Sequence, residues 1–373
     1  MILSIVTAVL LLFYGSLMWF FHKAWKTVPL YKVPPEFTPE TRVSVVVAAR
    51  NEERNIARCV ESLLAQDYPP ELFEIIVVDD QSTDNSSGVL SRYTNRRLIK
   101  MSVPAGSKGG KKTALSLGIS AARGSLVLTT DADCVHSQRW MRAMVAFYQS
   151  TNPVFIAAPV LVRPGSSAVG IFQSLDFMSL QGITAASVHR GFLQMSNGAN
   201  LGFSAEAFHA VGGYAGIDHL ASGDDMLLMQ KMADRFPGRT MYCLSRDTIV
   251  ETRPASTVAE FLRQRIRWAS KARNYTDKRM FLVLLLVYLL NLSLFMGGIQ
   301  AIVRPEWLLP WTGLVIAKTL AETIFLWPVA KFFGSPGTMA WFLPSQPFHI
   351  VYTVLAGFFG QVNSYTWKGR RWN

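Results

Sequence analysis

Three acidic pairs recur along the chain, and a basic aromatic motif follows them. In chain order the motifs are Asp79-Asp80, Asp131-Ala132-Asp133, Gly223-Asp224-Asp225 and Gln264-Arg265-Ile266-Arg267-Trp268. Each is common by itself, but long hydrophobic segments lie on both sides of the series. Carboxylates can hold a metal ion, bind a nucleotide or remove a proton. We interpret the series as the site of an enzyme that handles a nucleotide diphosphate at a membrane.

The Asp131 and Asp133 pair is the candidate metal site. Two carboxylates at positions i and i+2 after a strand can bracket a divalent cation that also binds diphosphate oxygens. Mg²⁺ or Mn²⁺ prefers such hard oxygen ligands, and as a Lewis acid it would stabilise a leaving nucleoside diphosphate. A surface turn without metal is the alternative, because this spacing is frequent in exposed turns.

Residues that follow the first two predicted strands are candidates for binding the rest of the donor. Ala49, Arg50 and Glu52 lie at the end of the first strand, and Asp80 lies at the end of the second. The Asp80 carboxylate would accept a hydrogen bond from a base N–H or a ribose hydroxyl. The alternative for this segment is capping of the next helix, by Ser82 or Asp84.

Lys111 and Lys112 follow a pair of glycines at a predicted helix start. Backbone N–H groups and lysine charge at such a start can hold a diphosphate. The spacing differs from the GxxxxGK[ST] phosphate loop. A solvated, charged turn is therefore an equal alternative to donor binding.

Asp225 is the candidate catalytic base. A carboxylate that takes a proton from an acceptor hydroxyl must lie on a different secondary-structure element from the carboxylates that bind the metal. Capping of the following helix by Asp224 is the alternative, and Asp224 together with Asn200 marks the predicted acceptor region. Four histidines are alternative bases, although lone histidines are more often structural: His136, His189, His209 and His219.

Gln264, Arg267 and Trp268 lie on one face of a predicted basic helix, residues 256–273. Arg267 would neutralise phosphate, and Trp268 would stack on a sugar or base. The alternative is a basic helix on lipid headgroups, with Trp268 as an interfacial anchor.

These residues need a scaffold that brings distant segments together, and the hydrophobic pattern predicts one. Short apolar strands alternate with amphipathic helices, which indicates a mostly parallel α/β sheet covered on both faces. The carboxyl ends of its strands would form one ligand-binding edge. The predicted strands are 43–49, 74–79, 97–101 and 125–130, and the predicted helices are 53–66, 82–93, 111–122 and 137–149.

Three apolar segments predict a membrane protein: residues 2–21, 280–303 and 307–330. Basic residues follow the first segment, so the positive-inside rule places the central region in the cytoplasm, at the inner membrane. Lys318 and Glu322 lie four apart and could pair inside the bilayer. Residues 338–361 are expected to form a re-entrant or interfacial hairpin. The predicted organisation is an anchor (1–22), a linker (23–40), a catalytic domain (41–255), an interfacial helix (256–279) and a membrane region (280–373).

Composition excludes other classes of protein. Half of the 373 residues are hydrophobic and 17% are charged, which is too apolar for an ordinary soluble enzyme. The net charge is +12, but the sequence has no basic tract interleaved with aromatic residues, so nucleic-acid binding is not predicted. Cys59, Cys134 and Cys243 are isolated, which indicates neither a disulfide framework nor a zinc site.

The complete set of motifs resembles the membrane-bound inverting glycosyltransferases of family 2. This GT-A group includes cellulose, chitin and hyaluronan synthases and ceramide glucosyltransferases. The similarity runs from residue 43 to residue 271, about 60% of the chain. It implies a Rossmann-like GT-A domain flanked by transmembrane helices, a divalent cation, a nucleotide-sugar donor that is usually a UDP-sugar, and direct displacement at the anomeric carbon.

The resemblance also implies roles for individual residues. Asp80 matches the nucleotide-binding aspartate, Asp225 matches the base, and the remaining matches are the DxD motif at Asp131 and Asp133 and the QxxRW motif at Gln264, Arg267 and Trp268. Arg50 stands where the family usually has tyrosine. The predicted function is transfer of a sugar to a lipid-linked or saccharide acceptor. A processive polysaccharide synthase and a noncatalytic sugar-nucleotide-binding subunit are the alternatives, and the short membrane region favours a single transfer.

Overall fold

The computed structural model describes residues 2–107, 109–218, 223–270, 277–362, 365–367 and 370–372. Three parts of the predictions lie outside these ranges: Lys108, which precedes the two glycines of the predicted phosphate-binding turn, His219, and the predicted end of the basic helix at Arg273. The chain divides into two compact units. The sheet unit comprises residues 28–161 and 187–253, and the membrane unit comprises residues 1–27, 162–186 and 254–373.

The sheet unit is built on a seven-stranded sheet in the order β3-β2-β1-β4-β8-β6-β9, beside a small sheet in the order β5-β10-β7. The strands, numbered in chain order, are β1 (Val43–Ala49), β2 (Phe73–Asp79), β3 (Leu98–Ser102), β4 (Leu126–Asp131), β5 (Val135–His136), β6 (Phe155–Ala157), β7 (Val160–Val162), β8 (Leu201–Ser204), β9 (Thr240–Tyr242) and β10 (Val250–Thr252). The first four strands of the large sheet pair in parallel, whereas β8 is antiparallel to both β4 and β6. The predicted α/β sheet is confirmed, and the central antiparallel strand makes it mixed.

The four helices predicted in the sheet unit are each shorter than predicted, and the described part of the unit contains two further helices. They are α2 (Ile56–Leu64), α3 (Ser86–Ser91), α4 (Lys111–Ala121), α5 (Trp140–Thr151), α7 (Ala205–Ala210) and α8 (Met226–Arg235). In α2 the residues Ile56, Cys59, Val60 and Leu63 are fully buried at i, i+3, i+4 and i+7 spacing, which seats one helix face on the core. The helix predicted over 53–66 begins only at Ile56, because the chain before it forms a loop.

This loop after β1 is bonded to the loop after β2. Asn51 and Gln81 both adopt left-handed backbone with φ of 52° and 56°. Asn51 Oδ1 accepts a hydrogen bond from the Thr83 N–H at 2.8 Å, and the Asn51 N–H donates to Ser82 Oγ at 3.0 Å. Non-glycine residues in this region cost energy and persist where surrounding contacts hold them. The two loops therefore form one connected rim at the carboxyl edge of the sheet.

The membrane unit contains the remaining helices and a short C-terminal hairpin. These elements are α1 (Ile2–Thr27), α6 (Ala168–His189, of which residues up to 186 belong to this unit), α9 (Val258–Ala269), α10 (Lys278–Val303), α11 (Leu308–Phe332), α12 (Gln346–Val362), β11 (Tyr365–Trp367) and β12 (Arg370–Trp372). Among the described residues three helices are long and apolar enough to cross a membrane: 2–27, 278–303 and 305–332. They coincide with the three predicted segments.

A buried polar cluster lies among the helices of this unit. Lys318 Nζ pairs with Glu322 Oε1 at 2.7 Å, which confirms the predicted i, i+4 pair. Tyr14 OH of α1 donates to Glu322 Oε1 at 2.6 Å. Gln346 of α12 accepts from Lys318 at 2.8 Å and donates to Glu322 Oε2 at 2.9 Å. Each charge is thus compensated by a partner, as burial of ions in an apolar medium requires.

Candidate active site

The sheet register places the first two acidic motifs side by side. Ala49 at the end of β1 is opposite Asp79, and Ala48 is opposite Asp131 at the end of β4. Because these strands are parallel, their carboxyl ends share one edge, where α/β sheets bind ligands. The convergence expected for the strand-end motifs is present.

Lys111 joins this edge to the third acidic motif. Its Nζ lies 2.7 Å from Asp131 Oδ1 and 2.8 Å from Asp224 Oδ2. The side chains of Lys111 and Asp224 are only 18% and 8% exposed, whereas that of Asp131 is 36% exposed. Burial by itself would lower the pKa of Lys111, but the two carboxylates outweigh burial and raise it well above its usual value. A fixed positive charge therefore stands between Asp131 and Asp224.

Gly198 allows this close approach. A Cβ at this position would lie 2.8 Å from Lys111 Nζ, closer than real Cβ atoms are found, and 3.0 Å from Asp224 Oδ2, which is also a tight contact. The Gly198 N–H donates to Asp225 Oδ2 at 3.2 Å. A glycine backbone therefore lies against the acidic pair.

The two adjacent acids differ from the prediction in one respect. Asp225, not Asp224, caps α8, because its Oδ1 accepts from the Met226 N–H at 2.7 Å. Asp224 lies in the cluster with Lys111 instead. Helix capping by Asp224 was therefore wrong. Asp225 also has its second oxygen bonded to the Gly198 N–H, so its carboxylate is held in a fixed orientation.

Asp80 is buried at the rim, 1% exposed, and its Oδ1 accepts from the Gly110 N–H at 2.9 Å. Arg50 donates from one guanidinium nitrogen to the carbonyls of Asp80 and Gln81, at 2.6 and 2.9 Å. Ala49 is buried and accepts from the Asp80 N–H at 2.7 Å. Asp80 is thus bonded to the start of the lysine-bearing helix α4.

Glu52 makes a local contact, whereas Lys112 contacts a distant segment of the chain. Glu52 Oε2 accepts from Asn55 Nδ2 at 2.8 Å within the loop after β1. Lys112 is buried, and its ammonium donates to the Ile217 carbonyl at 2.5 Å. Lys111 therefore contacts two carboxylates, whereas the neighbouring Lys112 contacts a backbone carbonyl.

The residues at the strand end fit a divalent cation that is shared with a diphosphate. No group of three or more His, Cys, Asp or Glu side chains within the described ranges is arranged to hold a metal by itself. Asp131 and Asp133 supply two hard carboxylates, and Asp133 Oδ2 also accepts from Thr252 Oγ1 at 3.2 Å. Mg²⁺ and Mn²⁺ are commonly held by one or two carboxylates plus substrate phosphates. The donor set matches that arrangement.

His136 supports strand β4 from within the core. Thr130, next to Asp131, donates to the Ala199 carbonyl at 2.8 Å, so it accepts from His136 Nε2 at 2.9 Å. On the other side of the ring, Nδ1 lies 3.1 Å from Ser62 Oγ, whose hydroxyl also reaches the Cys59 carbonyl at 2.8 Å. Burial lowers the pKa of His136 to about 3. The imidazole is therefore neutral and has a structural role. A catalytic base, by contrast, would have to contact the acceptor hydroxyl.

Asn200 is buried completely and all its amide atoms are engaged. Its Nδ2 donates to the Pro159 and Thr248 carbonyls at 2.8 and 2.7 Å, and its Oδ1 accepts from Trp140 Nε1 at 3.0 Å. Asn200 was predicted in the acceptor region. It fixes the loop that carries Gly198, and its own side chain faces protein.

Gln264, Arg267 and Trp268 lie on α9 in the membrane unit. The Trp268 ring lies 6.0 Å from the Phe177 ring and 4.3 Å from the Arg265 guanidinium. Gln264 Oε1 accepts from Arg265 at 3.2 Å. Arg265, between the motif positions, is therefore the residue around which Gln264 and Trp268 pack.

Arg265 is itself held by a residue that sequence reasoning missed. Asp176 on α6 accepts from Arg265 through Oδ2 and from Tyr352 OH of α12 through Oδ1, both at 2.5 Å. An acidic residue inside the apolar segment 168–189 was the available signal. Gly198 was missed too, although it lies in the Asn197-Gly198-Ala199-Asn200 motif.

The fold and the edge site define a GT-A glycosyltransferase, and comparison with known proteins assigns the family. The signature of glycosyl transferase family group 2 matches residues 126–360, and that of glycosyl transferase family 2 matches residues 44–197. The chain belongs to the family 2 glycosyltransferases.

Individual relatives are more distant. The chain is 31% identical over 148 residues to beta-monoglucosyldiacylglycerol synthase from Synechocystis sp., a match that covers 39% of this chain and 30% of that protein. It is 24% identical over 232 residues to glycosyltransferase AglE from Haloferax volcanii, covering 60% of this chain and 71% of that protein. The matched region is thus less than a third of the length of the Synechocystis enzyme.

A solved structure has the same fold. It is a mannosyltransferase from Pyrobaculum calidifontis in complex with GDP-mannose and Mn²⁺, 20% identical, with a TM-score of 0.60 over 95% of this chain and 99% of the other. This similarity supports the GT-A fold.

Proposed function

We propose that this enzyme transfers a sugar from a nucleotide-diphosphate donor to a lipid-linked or saccharide acceptor, with inversion at the anomeric carbon. The observation that carries the proposal is the meeting of Asp131 and Asp224 at Lys111, at 2.7 and 2.8 Å. The site combines the strand-end carboxylate of Asp131, the ammonium of Lys111 and the acids of the Gly223-Asp224-Asp225 motif. A diphosphate leaving group and an acceptor hydroxyl together require these groups. UDP is the preferred nucleotide by family resemblance, and GDP is the alternative that the solved mannosyltransferase suggests.

On the donor side, Asp80 would bind the nucleotide, and Asp131 with Asp133 would hold a divalent cation. When bound, that cation neutralises charge on the leaving diphosphate. Lys111 adds a buried positive charge beside Asp131, and the N–H groups at the start of α4 face the same edge. Positive charge fixed in advance is worth more in such a site than mobile charge in water.

On the acceptor side, Asp225 would take the hydroxyl proton. The acceptor oxygen then attacks the anomeric carbon as the bond to the diphosphate oxygen breaks, and the proton remains on the carboxylate. Attack from the face opposite the leaving group inverts the configuration. The hydrogen bonds from Gly198 and Met226 would orient the carboxylate for this step.

The proposed location is the inner membrane, with the sheet unit in the cytoplasm. Three described helices are long and apolar enough to cross a membrane, and Lys23 and Lys26 near the end of α1 favour a cytoplasmic position for the residues that follow.

The test uses the purified full chain in detergent with a panel of UDP- and GDP-sugars, Mn²⁺ or Mg²⁺, and lipid extracts as acceptor. Release of nucleoside diphosphate identifies the donor, NMR of the product gives the anomeric configuration, and product length separates single transfer from processive synthesis. A product that retains the donor configuration would overturn the inverting mechanism. Full turnover without divalent cation would remove the metal from the proposal.

A further inference from the structure

A second charged site lies in the sheet unit, and it shares no residue with the site that contains Asp131. It is a cleft of about 610 Å³ whose walls include the linker that follows α1, the loop after α2, the start of α5 and the segment before β10. Its charged lining residues are Lys32, Arg139, Arg142, Arg246, Asp67 and Asp247.

The lining of the cleft shares no residue with the proposed donor site. Asp67 of the lining adjoins the edge of the sheet at which β1 begins, because the next residue, Tyr68, donates to the carbonyl of Thr41, which precedes β1. Asp131, by contrast, is the last residue of β4, whose carboxyl end adjoins that of β1. The residues that line the cleft are therefore separate from those proposed to bind the donor.

The walls of the cleft are firmly held. The Tyr31 N–H donates to the Leu244 carbonyl at 2.8 Å, and the Tyr31 ring packs edge-on against Phe147 at 5.1 Å. Arg142 donates to the Phe37 carbonyl at 3.4 Å, and its guanidinium lies 5.4 Å from the Phe37 ring. The linker thus forms a fixed wall.

The positive charges of the lining are only partly compensated. Four basic residues face two acidic ones, which leaves a surplus of two positive charges. Across the described part of the chain, Lys32, Arg139 and Arg246 make no salt bridge, and all three are exposed. Arginine guanidinium groups match the geometry of phosphate oxygens and bind them in pairs of hydrogen bonds. The chemistry of the cleft therefore suits a phosphate group.

We propose that the cleft binds the phosphate of an anionic lipid headgroup. Leu30, the first lining residue of the linker, follows the last residue of membrane helix α1 by three positions. Basic residues next to a membrane span attract anionic lipids, and a cleft with several fixed cations adds a defined binding position to that attraction. Leu30 and Val33 give the cleft apolar surface beside the cations.

The experiment is lipid titration of the full chain in detergent, followed by native mass spectrometry. Phosphatidylglycerol and phosphatidylcholine are the lipid probes, and sodium phosphate is the soluble probe. The test variant combines Lys32→Gln, Arg139→Gln and Arg246→Gln. The control combines Arg58→Gln, Arg92→Gln and Arg96→Gln, which removes the same charge from exposed positions of the sheet unit away from the cleft.

We expect the tightest phosphatidylglycerol site to weaken at least about tenfold in the cleft variant and to be retained in the control. Phosphatidylcholine should bind both proteins equally. Equal phosphatidylglycerol affinity in the cleft variant and the wild type overturns the site. Equal loss in the control shows that only net charge matters, and displacement of the lipid by millimolar phosphate shows a soluble anion site instead; either result also overturns the lipid proposal.

Discussion

The ammonium of Lys111 lies 2.7 Å from Asp131 Oδ1. The carboxylate that is proposed to hold a divalent cation is therefore already paired with a positive charge of the protein itself. The same ammonium contacts Asp224 Oδ2 at 2.8 Å. A lysine in this position stabilises two clustered acids before donor and metal bind. It also competes with a metal ion for Asp131.

This competition gives the first prediction. In Lys111→Met, Asp131 and Asp224 lose their shared cation, and we expect Mn²⁺ to bind the nucleotide-free enzyme several-fold more tightly. Sugar transfer should nevertheless fall about tenfold or more, because the fixed charge at the diphosphate is lost. Electron paramagnetic resonance of free Mn²⁺ measures the first effect. Lys112→Met is the matched control, since its ammonium contacts the Ile217 carbonyl; unchanged Mn²⁺ affinity in Lys111→Met contradicts the competition.

The second prediction separates the adjacent acids. Asp225→Asn should lower kcat roughly 10²- to 10⁴-fold, as expected for loss of a general base, with little change in Tm because asparagine also caps helices well. Asp224→Asn should instead lower Tm, since it removes a partner of buried Lys111. Turnover rates and thermal unfolding of both variants decide the assignment. A large kcat loss in Asp224→Asn with Asp225→Asn fully active would exchange the two roles.

A third prediction concerns the approach of backbone to this cluster. Gly198→Ala places a methyl group 2.8 Å from Lys111 Nζ, so the lysine must move away from Asp131 or Asp224. We expect transfer activity to fall while the protein remains folded. Gly165→Ala is the control, because its added carbon meets nothing nearer than the Ser167 nitrogen at 4.0 Å. Wild-type activity in Gly198→Ala would show that the position of the ammonium does not matter.

The fourth prediction is a pH dependence of stability. The pKa of His136 is about 3 in the folded chain, against an unfolded value of about 6.5. Between these values only the unfolded state binds the proton, so stability present above pH 6.5 is lost as the pH falls toward 3. At pH 5 the loss from this residue is about 2 kcal/mol. Thermal unfolding of His136→Gln should show a shallower pH dependence between pH 7.5 and 5, whereas the exposed His209→Gln control should keep the wild-type slope.

The fifth prediction addresses the QxxRW helix. Arg265→Gln leaves Asp176 buried without its ionic partner, which typically costs about 3–5 kcal/mol. We expect a large decrease in Tm, and a smaller decrease when Asp176→Asn is combined with it, because the pair is then removed together. Arg263→Gln, an exposed change on the same helix, should be neutral. Additive single and double effects would show that the two residues do not interact.

The sequence predicted the structure best where an element depends on a local pattern of residues. The β1 strand has the predicted limits, and the strand ends meet at one edge, because apolar runs bounded by polar residues specify parallel strands. The antiparallel β8 was not predicted, since strand direction depends on pairing between distant segments. The start of α2 moved because hydrogen bonds between the loops at Asn51 and Ser82, invisible in a periodic pattern, keep residues 50–55 out of the helix.

The candidate site was predicted by residue type better than by orientation. Asp224 and Asp225 are chemically identical neighbours, and only the backbone at the start of α8 determines which one caps it. Trp268 matches a motif, but its packing against Phe177 depends on a helix almost a hundred residues earlier in the chain. The role of Asp176 depends equally on such long-range packing.

The cluster around Lys318 and Glu322 has a consequence for biogenesis. The two charges are on α11, the least apolar of the three candidate spans, but Tyr14 and Gln346, which complete their hydrogen bonds, come from α1 and α12. In lipid without α1 and α12, α11 would expose the charged groups of Lys318 and Glu322 without the hydrogen bonds from Tyr14 and Gln346. We therefore expect α11 to insert into the bilayer efficiently only when its neighbouring helices are present. Glycosylation mapping of α11 insertion, with and without α1, measures this dependence. The order in which the ribosome delivers these helices would then be part of how the enzyme matures.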